Sequence, residues 1–145
     1  MKISTKGRYA LRMLIDLAEH QSSGYVSLKD ISKRQSISKK YLEQIVPVLN
    51  NSGVLKTSRG FQGGYMLALP PDKLTVGDVL RLTEGSLAPV ACLESDPVLC
   101  ERSADCAALP VWQGLYRVIN EYLDGITLQD IVDQHRNGYV NDYVI

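Results

Sequence analysis

The sequence lacks any long hydrophobic run. No stretch of its 145 residues approaches the roughly 18 consecutive apolar residues that cross a bilayer. The N-terminal segment does not resemble a signal peptide either, because Arg12 and Asp16 interrupt its apolar positions and no small-residue cleavage site follows. These absences exclude an integral membrane protein, and we expect a cytoplasmic protein with no membrane partner.

Histidine is scarce, and no catalytic arrangement of side chains is visible. The chain has two histidines, although general acid–base catalysis most often depends on this residue. No sequence motif pairs a nucleophile with a base. We therefore expect that the protein is not an enzyme.

The chain has no net charge, which by itself would argue against binding to nucleic acid. The charges are unevenly distributed, however. Residues 1–70 contain eleven Lys or Arg and four Asp or Glu, whereas residues 71–145 contain five and twelve. This asymmetry indicates a module that binds a polyanion joined to a separate regulatory part. The alternative is two solvated faces of opposite charge.

Cysteine is absent outside one segment, "ACLESDPVLCERSADCAALP", residues 91–110. This segment holds Cys92, Cys100 and Cys106. Cytosolic thiols are kept reduced, so a structural disulfide is not expected. A metal site, a redox switch and thiols without function remain as interpretations. Zinc is less favoured, because zinc sites usually contain a close C-x₂₋₄-C pair and this segment has none.

Hydrophobic periodicity predicts a mainly α-helical fold with a small β-hairpin. Helical spacing of apolar residues predicts a helix over "STKGRYALRMLIDLAEHQ", a short helix from Leu28 to Arg34 and a third helix over "KKYLEQIVPVLNNSG", which Pro47 should bend or divide. Two short strands around a glycine-rich loop then predict a hairpin. This order is that of a winged helix-turn-helix, which we assign to residues 1–72.

The third helix has the pattern of a DNA-recognition helix. Its first turns carry polar side chains, whereas Leu42 and Ile45 face inward and Tyr41 begins the apolar side. Glu43 and Gln44 suit base edges. Candidate DNA contacts on this helix are Ser38, Lys39, Lys40, Tyr41, Glu43 and Gln44. A solvated helix face is the alternative.

Two further segments are candidates for DNA contact. In "TSRGFQGGY", Arg59 lies at the tip of the wing, where an arginine can enter a narrow minor groove. Gly60 permits the backbone conformation that the tip requires. At the start of the first helix, Ser4, Lys6 and Arg8 can contact the phosphate backbone.

The pattern of apolar residues in the C-terminal half predicts a connecting helix (73–90), followed by the cysteine-containing loop (91–109). A long helix with a short final helix (110–135) and a tail (136–145) are predicted after the loop. The long helix is more apolar than one side of a small domain requires, so we expect it to form a homodimer. The residues of this expected interface are Val111, Leu115, Val118, Ile119 and Tyr122. The alternative is that the first helix covers this stripe within the same chain.

Three motifs together resemble the IscR-type family of winged-helix transcription regulators. They are "STKGRYALRMLIDLA", "ISKKYLEQIVPVL" and "SRGFQGGYMLALPPDKLTVGDVLRLTEG", and the resemblance extends over residues 1 to about 135. It implies a cytoplasmic homodimer that binds a palindromic operator in double-stranded DNA. In members with three loop cysteines it also implies an iron–sulfur cluster, expected here as 2Fe–2S, whose state controls operator binding. The genes expected to be regulated are those of iron–sulfur cluster assembly. Other members respond to different signals, including a partner enzyme of cysteine metabolism.

The cysteine pattern departs from that family in two respects. Cys92, Cys100 and Cys106 match the three ligand positions in order, but the first gap has seven residues where five are usual. The family's fourth ligands fall on Leu109 and Arg8, neither of which can serve. The remaining candidates for a fourth ligand are Glu94, Asp96, Glu101, Asp105 and His135.

Overall fold

The chain folds into helices and one two-stranded hairpin. In this computed structural model, which describes residues 1–144 and the side chains of residues 1–138, the hairpin follows the third helix as predicted. The α-helices are α1 (Thr5–His20), α2 (Leu28–Gln35), α3 (Lys39–Asn51), α4 (Val76–Glu84), α5 (Leu109–Asp124) and α6 (Leu128–Val144), and the strands are β1 (Leu55–Ser58) and β2 (Gly64–Leu67).

Helix α1 is the centre of the core. Its apolar residues at helical spacing are fully buried, and α1 packs against α2, α3, α4, α6 and β2. The fully buried apolar residues of α1 are Ala10, Met13, Leu14 and Leu17. Because one helix contacts both halves of the chain, the helix-turn-helix and C-terminal segments share a core.

The helix-turn-helix is formed by α2 and α3. The side chain of Ser27 accepts a hydrogen bond from the Asp30 amide at 3.1 Å and so caps α2. Ser36 then adopts the left-handed conformation, with φ 54°, which turns the chain within a few residues. Ile37 is buried under this turn. The hairpin of β1 and β2 is antiparallel, with Leu55 opposite Leu67 and Ser58 opposite Gly64. The predicted winged helix-turn-helix is therefore confirmed.

Two helices are more continuous or longer than predicted. Helix α3 continues through Pro47, whose ring is exposed, because core packing of Ile45, Val46 and Leu49 holds the helix on both sides of the proline. Helix α6 extends to Val144, where a short helix and a tail were predicted. The reciprocal hydrogen bonds between Thr127 and Asp130 start α6, and its packing against α1 supports it. The last residue of the predicted tail, Ile145, lies outside the described residues.

A buried carboxylate ties α2 to α1. Asp16 is fully buried, and it accepts hydrogen bonds from Arg34 Nη2 at 2.7 Å, from Arg34 Nε at 3.0 Å and from Gln35 Nε2 at 3.0 Å. The hydrogen bond to Asp16 raises the pKa of Arg34 above its usual value. The end of α2, immediately before the turn to α3, is thereby held at a defined position on α1.

Replacement of Arg34 by alanine should lower the free energy of unfolding by about 3 kcal/mol, because it leaves the Asp16 carboxylate buried with one partner fewer. Denaturant titration of the DNA-free protein measures this. The control is Lys33→Ala, the exposed neighbour on α2, which should change stability by less than about 0.5 kcal/mol. A loss for Arg34→Ala no larger than that of the control would contradict the structural role of the pair.

In the part of the chain that the structure describes, no helix has the length and apolar character needed to cross a bilayer.

Candidate nucleic-acid interface and cysteine loop

Helix α3 presents a polar face to solvent. The Ser38 hydroxyl accepts from the Tyr41 amide at 3.1 Å and so caps the helix. The polar candidates, Ser38, Lys39, Lys40, Glu43 and Gln44, are all exposed. Leu42 and Ile45 are fully buried. The face that the sequence predicted for DNA contact is thus free of intramolecular packing, although Lys39 Nζ lies 4.0 Å from Glu43 Oε1.

Tyr41 differs from the other candidates on α3. Its side chain is half-buried and lies edge-on to the Tyr9 ring, with the ring centroids 5.3 Å apart. The guanidinium of Arg12 lies over the same Tyr9 ring, also at 5.3 Å. Tyr41 therefore joins the recognition helix to α1, and its contact with DNA stays a prediction.

The wing is attached to α3 and carries its charge at the tip. Thr57 Oγ1 on β1 donates to Asn50 Oδ1 on α3 at 3.1 Å. Arg59 and Gly60 are exposed beyond the last strand pair. The structure therefore leaves both predicted wing residues accessible, on a hairpin whose position is set by the recognition helix.

The start of α1 is engaged with α4. Ser4 caps α1 by accepting from the Gly7 amide at 3.0 Å. The Ser4 amide and hydroxyl both donate to Glu84 Oε1, at 3.0 Å and 2.6 Å. A Cβ atom at Gly7 would collide with the same carboxylate, so the glycine permits the close approach of the two helices.

The three candidate DNA contacts at this end are not equivalent. Ser4 uses its hydroxyl within the protein, Lys6 is half-buried, and Arg8 is exposed with its Nη2 donating to Thr5 Oγ1 at 2.9 Å. Sequence patterns did not reveal Glu84, which is 80 residues away from Ser4. Since Glu84 is the last residue of α4, it joins the start of α1 to the end of the helix that precedes the cysteine loop.

Helix α5 leaves an apolar face in solvent. Val111, Leu115, Val118 and Tyr122 are 61%, 43%, 57% and 67% exposed. Ile119 is half-buried. The opposite side of α5 packs on α4 through Tyr116 and Leu123. The apolar stripe is therefore not covered by the first helix of the same chain.

An ion pair holds α5 on α4. Arg81 donates to both oxygens of Asp124, at 2.8 Å and 2.9 Å, and to Asn120 Oδ1 at 2.9 Å. These hydrogen bonds lower the pKa of Asp124 and raise that of Arg81. The two helices that flank the cysteine loop are thereby fixed to each other near the far end of α5.

The cysteine loop joins the end of α4 to the start of α5. Cys92, Cys100 and Cys106 are free thiols with exposed side chains. The candidate oxygen ligands Glu94, Asp96, Glu101 and Asp105 are exposed as well. His135 lies on α6, where its Nδ1 is 2.7 Å from Glu19 Oε1 of α1.

The donor types of this loop fit an iron–sulfur cluster, since thiolates are the normal ligands of such clusters. The conformation of the loop does not assemble them. Over the described residues, no three His, Cys, Asp or Glu side chains converge on a point where a metal ion would be held. Cluster binding would therefore require the loop to rearrange so that the three thiolates come together.

Comparison with known proteins decides the family. The family model described as "Rrf2: Iron-dependent Transcriptional regulator" matches residues 3–134. The chain belongs to the Rrf2 family. The resemblance inferred from the three sequence motifs is thus confirmed.

Rrf2 regulators of two types are similar to this chain. CymR of Bacillus subtilis is 41% identical over 131 residues, which cover 90% of this chain and 89% of that protein. IscR of Aliivibrio salmonicida is 37% identical over 142 residues, covering 98% and 83%. The solved structure of CymR, described as the global cysteine regulator of B. subtilis, superposes with a TM-score of 0.77 at 40% identity and covers 92% of this chain and 98% of that one.

Proposed function

We propose that this Rrf2 regulator is a cytoplasmic homodimer that binds a palindromic DNA operator and is controlled by an iron–sulfur cluster, of the 2Fe–2S type, on Cys92, Cys100 and Cys106. Its targets are genes of iron–sulfur cluster assembly. The observation that carries the proposal is the position of three exposed thiols on the one loop between α4 and α5. That loop separates the DNA-binding part from the expected dimer helix.

DNA binding is supported by accessible polar and basic side chains on two adjacent elements. The exposed face of α3 suits the major groove, where Glu43 and Gln44 can read base edges and Lys39 and Lys40 can contact phosphates. The wing tip with Arg59 suits the minor groove, where the potential is most negative.

A homodimer is supported by the apolar face of α5. Four large apolar side chains are exposed at helical spacing along one side of the helix. Such a continuous apolar face is a typical protein–protein contact, and a twofold pair of α5 helices would bury it. Two recognition helices related by a twofold axis match a palindromic operator.

The hydrogen bonds between Glu84 and Ser4 offer a route from the loop to the DNA. Glu84 ends α4, the helix that precedes the cysteine loop, and Ser4 caps the helix that carries Arg8. A rearrangement of the loop around a cluster would act on the end of α4 and, through this carboxylate, on the start of α1. The two sites would then share a coupling free energy.

Arg59→Ala should weaken binding to the operator by about 10-fold to 100-fold. The slope of log affinity against log salt concentration should fall by about one, as expected for the loss of one phosphate contact. Fluorescence anisotropy over a series of salt concentrations measures both. Lys73→Ala, in the short 3₁₀ helix that follows the hairpin, is the matched control and should retain wild-type affinity. If Arg59→Ala bound the operator as tightly as the wild type, Arg59 at the wing tip would not be part of the DNA interface.

Cluster-loaded and cluster-free protein should differ in operator affinity or in sequence preference, since coupling energies between sites are typically about 1–3 kcal/mol. Duplex selection with each form, followed by affinity measurement, tests this. In Glu84→Ala, which lacks the hydrogen bonds to Ser4, the difference between the two forms should shrink. Identical affinity and preference of the two wild-type forms would contradict control by the cluster.

A second candidate is a regulator of the same fold that responds to thiol oxidation, or to a partner enzyme of cysteine metabolism, without a cluster. It is favoured by the 41% identity to CymR and by the exposure of all three thiols. A thiol switch predicts reversible oxidation of the cysteines. A partner enzyme predicts that regulation survives replacement of all three.

A further inference from the structure

Phe61 is the most exposed large apolar side chain among the described residues, with an exposure of 104%. It is also the single phenylalanine of the chain. It belongs to neither of the apolar clusters that the described residues form. A lone exposed apolar residue needs no explanation by itself, but the turn that carries Phe61 holds its ring in a particular place.

The wing tip is a tight turn built by glycines. The Gly63 amide donates to the Gly60 carbonyl oxygen at 3.1 Å, which leaves Phe61 and Gln62 at the two corners of the turn. Gly60 has φ +112°, a conformation that other residues rarely adopt, and a Cβ atom at Gly63 would collide with the Ser58 carbonyl oxygen. The glycines therefore make the tip narrow, and the phenyl ring projects from its end.

The charge of the wing fits a polyanion. Arg59 directly precedes the turn, and Lys56 is exposed on β1. No acidic residue occurs between Glu43 and Asp72. A narrow tip with a cation and an apolar ring matches proteins that enter the minor groove, which is about 6 Å wide. Such proteins often insert an apolar side chain between base steps, next to arginines that follow the groove.

We propose that Phe61 is an apolar wedge that enters the minor groove beside Arg59 and partly unstacks one base step, so that each wing bends the DNA. The inference rests on the DNA-binding function proposed above and assigns a separate role to one residue of the wing. Arg59 supplies electrostatic attraction, whereas Phe61 replaces base–base stacking at the opened step with contact to its ring.

The probe is a duplex that the wild-type protein selects from a random-sequence pool. The fluorescent base 2-aminopurine replaces one base at a time at positions next to those contacted by α3, where its fluorescence rises when the base is unstacked. A pair of dyes at the two ends of the duplex reports DNA bending through the distance between them. We expect wild-type protein to raise 2-aminopurine fluorescence at one step per half-site and to shorten the distance between the ends. Phe61→Ala should lose both signals and bind about tenfold more weakly at every sequence, and Phe61→Leu should retain part of each.

Two controls separate the wedge from other effects. Phe61→Ala should keep the wild-type unfolding temperature, because the ring contacts no core cluster. Leu69→Ala removes another exposed apolar side chain, at the base of the same hairpin, and should bind like wild type. The wedge would be contradicted if Phe61→Ala bound DNA with wild-type affinity. It would also be contradicted if Phe61→Ala still raised the fluorescence of 2-aminopurine. If the wild-type chain selected no duplex, the DNA-binding proposal itself would fall, and the wedge with it.

Discussion

Anaerobically purified protein is expected to be brown and to contain iron and acid-labile sulfide in matched amounts, and Cys92→Ala is expected to lose both. The three thiols are the only cysteines of the chain, so no other thiolate can replace a missing ligand. Even outer-shell partners of metal ligands change affinity by about 10-fold to 100-fold. Loss of a directly bound thiolate should therefore lower the affinity for the cluster by at least about 100-fold, and the purified variant should be colourless.

Visible absorption together with iron and sulfide assays measures this result. Ser103→Ala changes a small polar residue of the same loop without removing a thiol, and it should keep the full cluster content. Colourless wild-type protein that also resists cluster reconstitution would contradict the cluster. The triple replacement of Cys92, Cys100 and Cys106 by alanine then distinguishes the remaining candidates, since a thiol switch is lost in it and control by a partner enzyme is not.

The double variant Leu115→Glu/Val118→Glu should dissociate the homodimer. Both side chains are exposed in the single chain, at 43% and 57%, so the substitutions should leave the fold of the protomer intact. In a pair of α5 helices they would bury four carboxylates without partners, which is strongly unfavourable. The dissociation constant of the dimer should rise by at least about 100-fold, and affinity for the palindromic operator should fall with it.

Sedimentation equilibrium measures the dimer constant, and circular dichroism checks that the helices are retained. Gln113→Glu adds a carboxylate to an exposed position on the other side of α5, and it should remain dimeric. The interface would be assigned wrongly if the double variant stayed dimeric at the concentration where the wild type does. A wild-type chain that is monomeric would contradict the homodimer altogether.

Local signals account for the elements that the sequence predicted correctly. Ser27, Ser38 and Thr75 each accept a hydrogen bond from the amide three residues later, and this local capping pattern marks the starts of α2, α3 and α4. The glycine-rich segment between two apolar runs located the wing. These features depend on interactions between residues that are close in the sequence, so they can be predicted from the sequence alone.

Features that depend on distant residues were predicted poorly. The length of α6 was underestimated because its support comes from α1, more than 100 residues earlier. Pro47 was expected to bend or divide α3, but the helix runs through it, because buried residues on both sides of the proline pack into the core. The partner of Ser4, Glu84, could not be identified from the sequence, and contact of Ser4 with DNA stays a prediction.

By itself the sequence determined the family, the winged helix-turn-helix, the uneven charge and the segment that holds the thiols, because each is recorded in residue types at short spacing. Only the tertiary structure decided which of those residues remain available. Folding buries Asp16, which pairs with Arg34, and engages the Ser4 hydroxyl in a hydrogen bond to Glu84. It leaves Phe61 and the apolar stripe of α5 in solvent. Whether a side chain is accessible to DNA, to a cluster or to a partner depends on which surfaces pack together. Packing brings together residues that are far apart in the sequence.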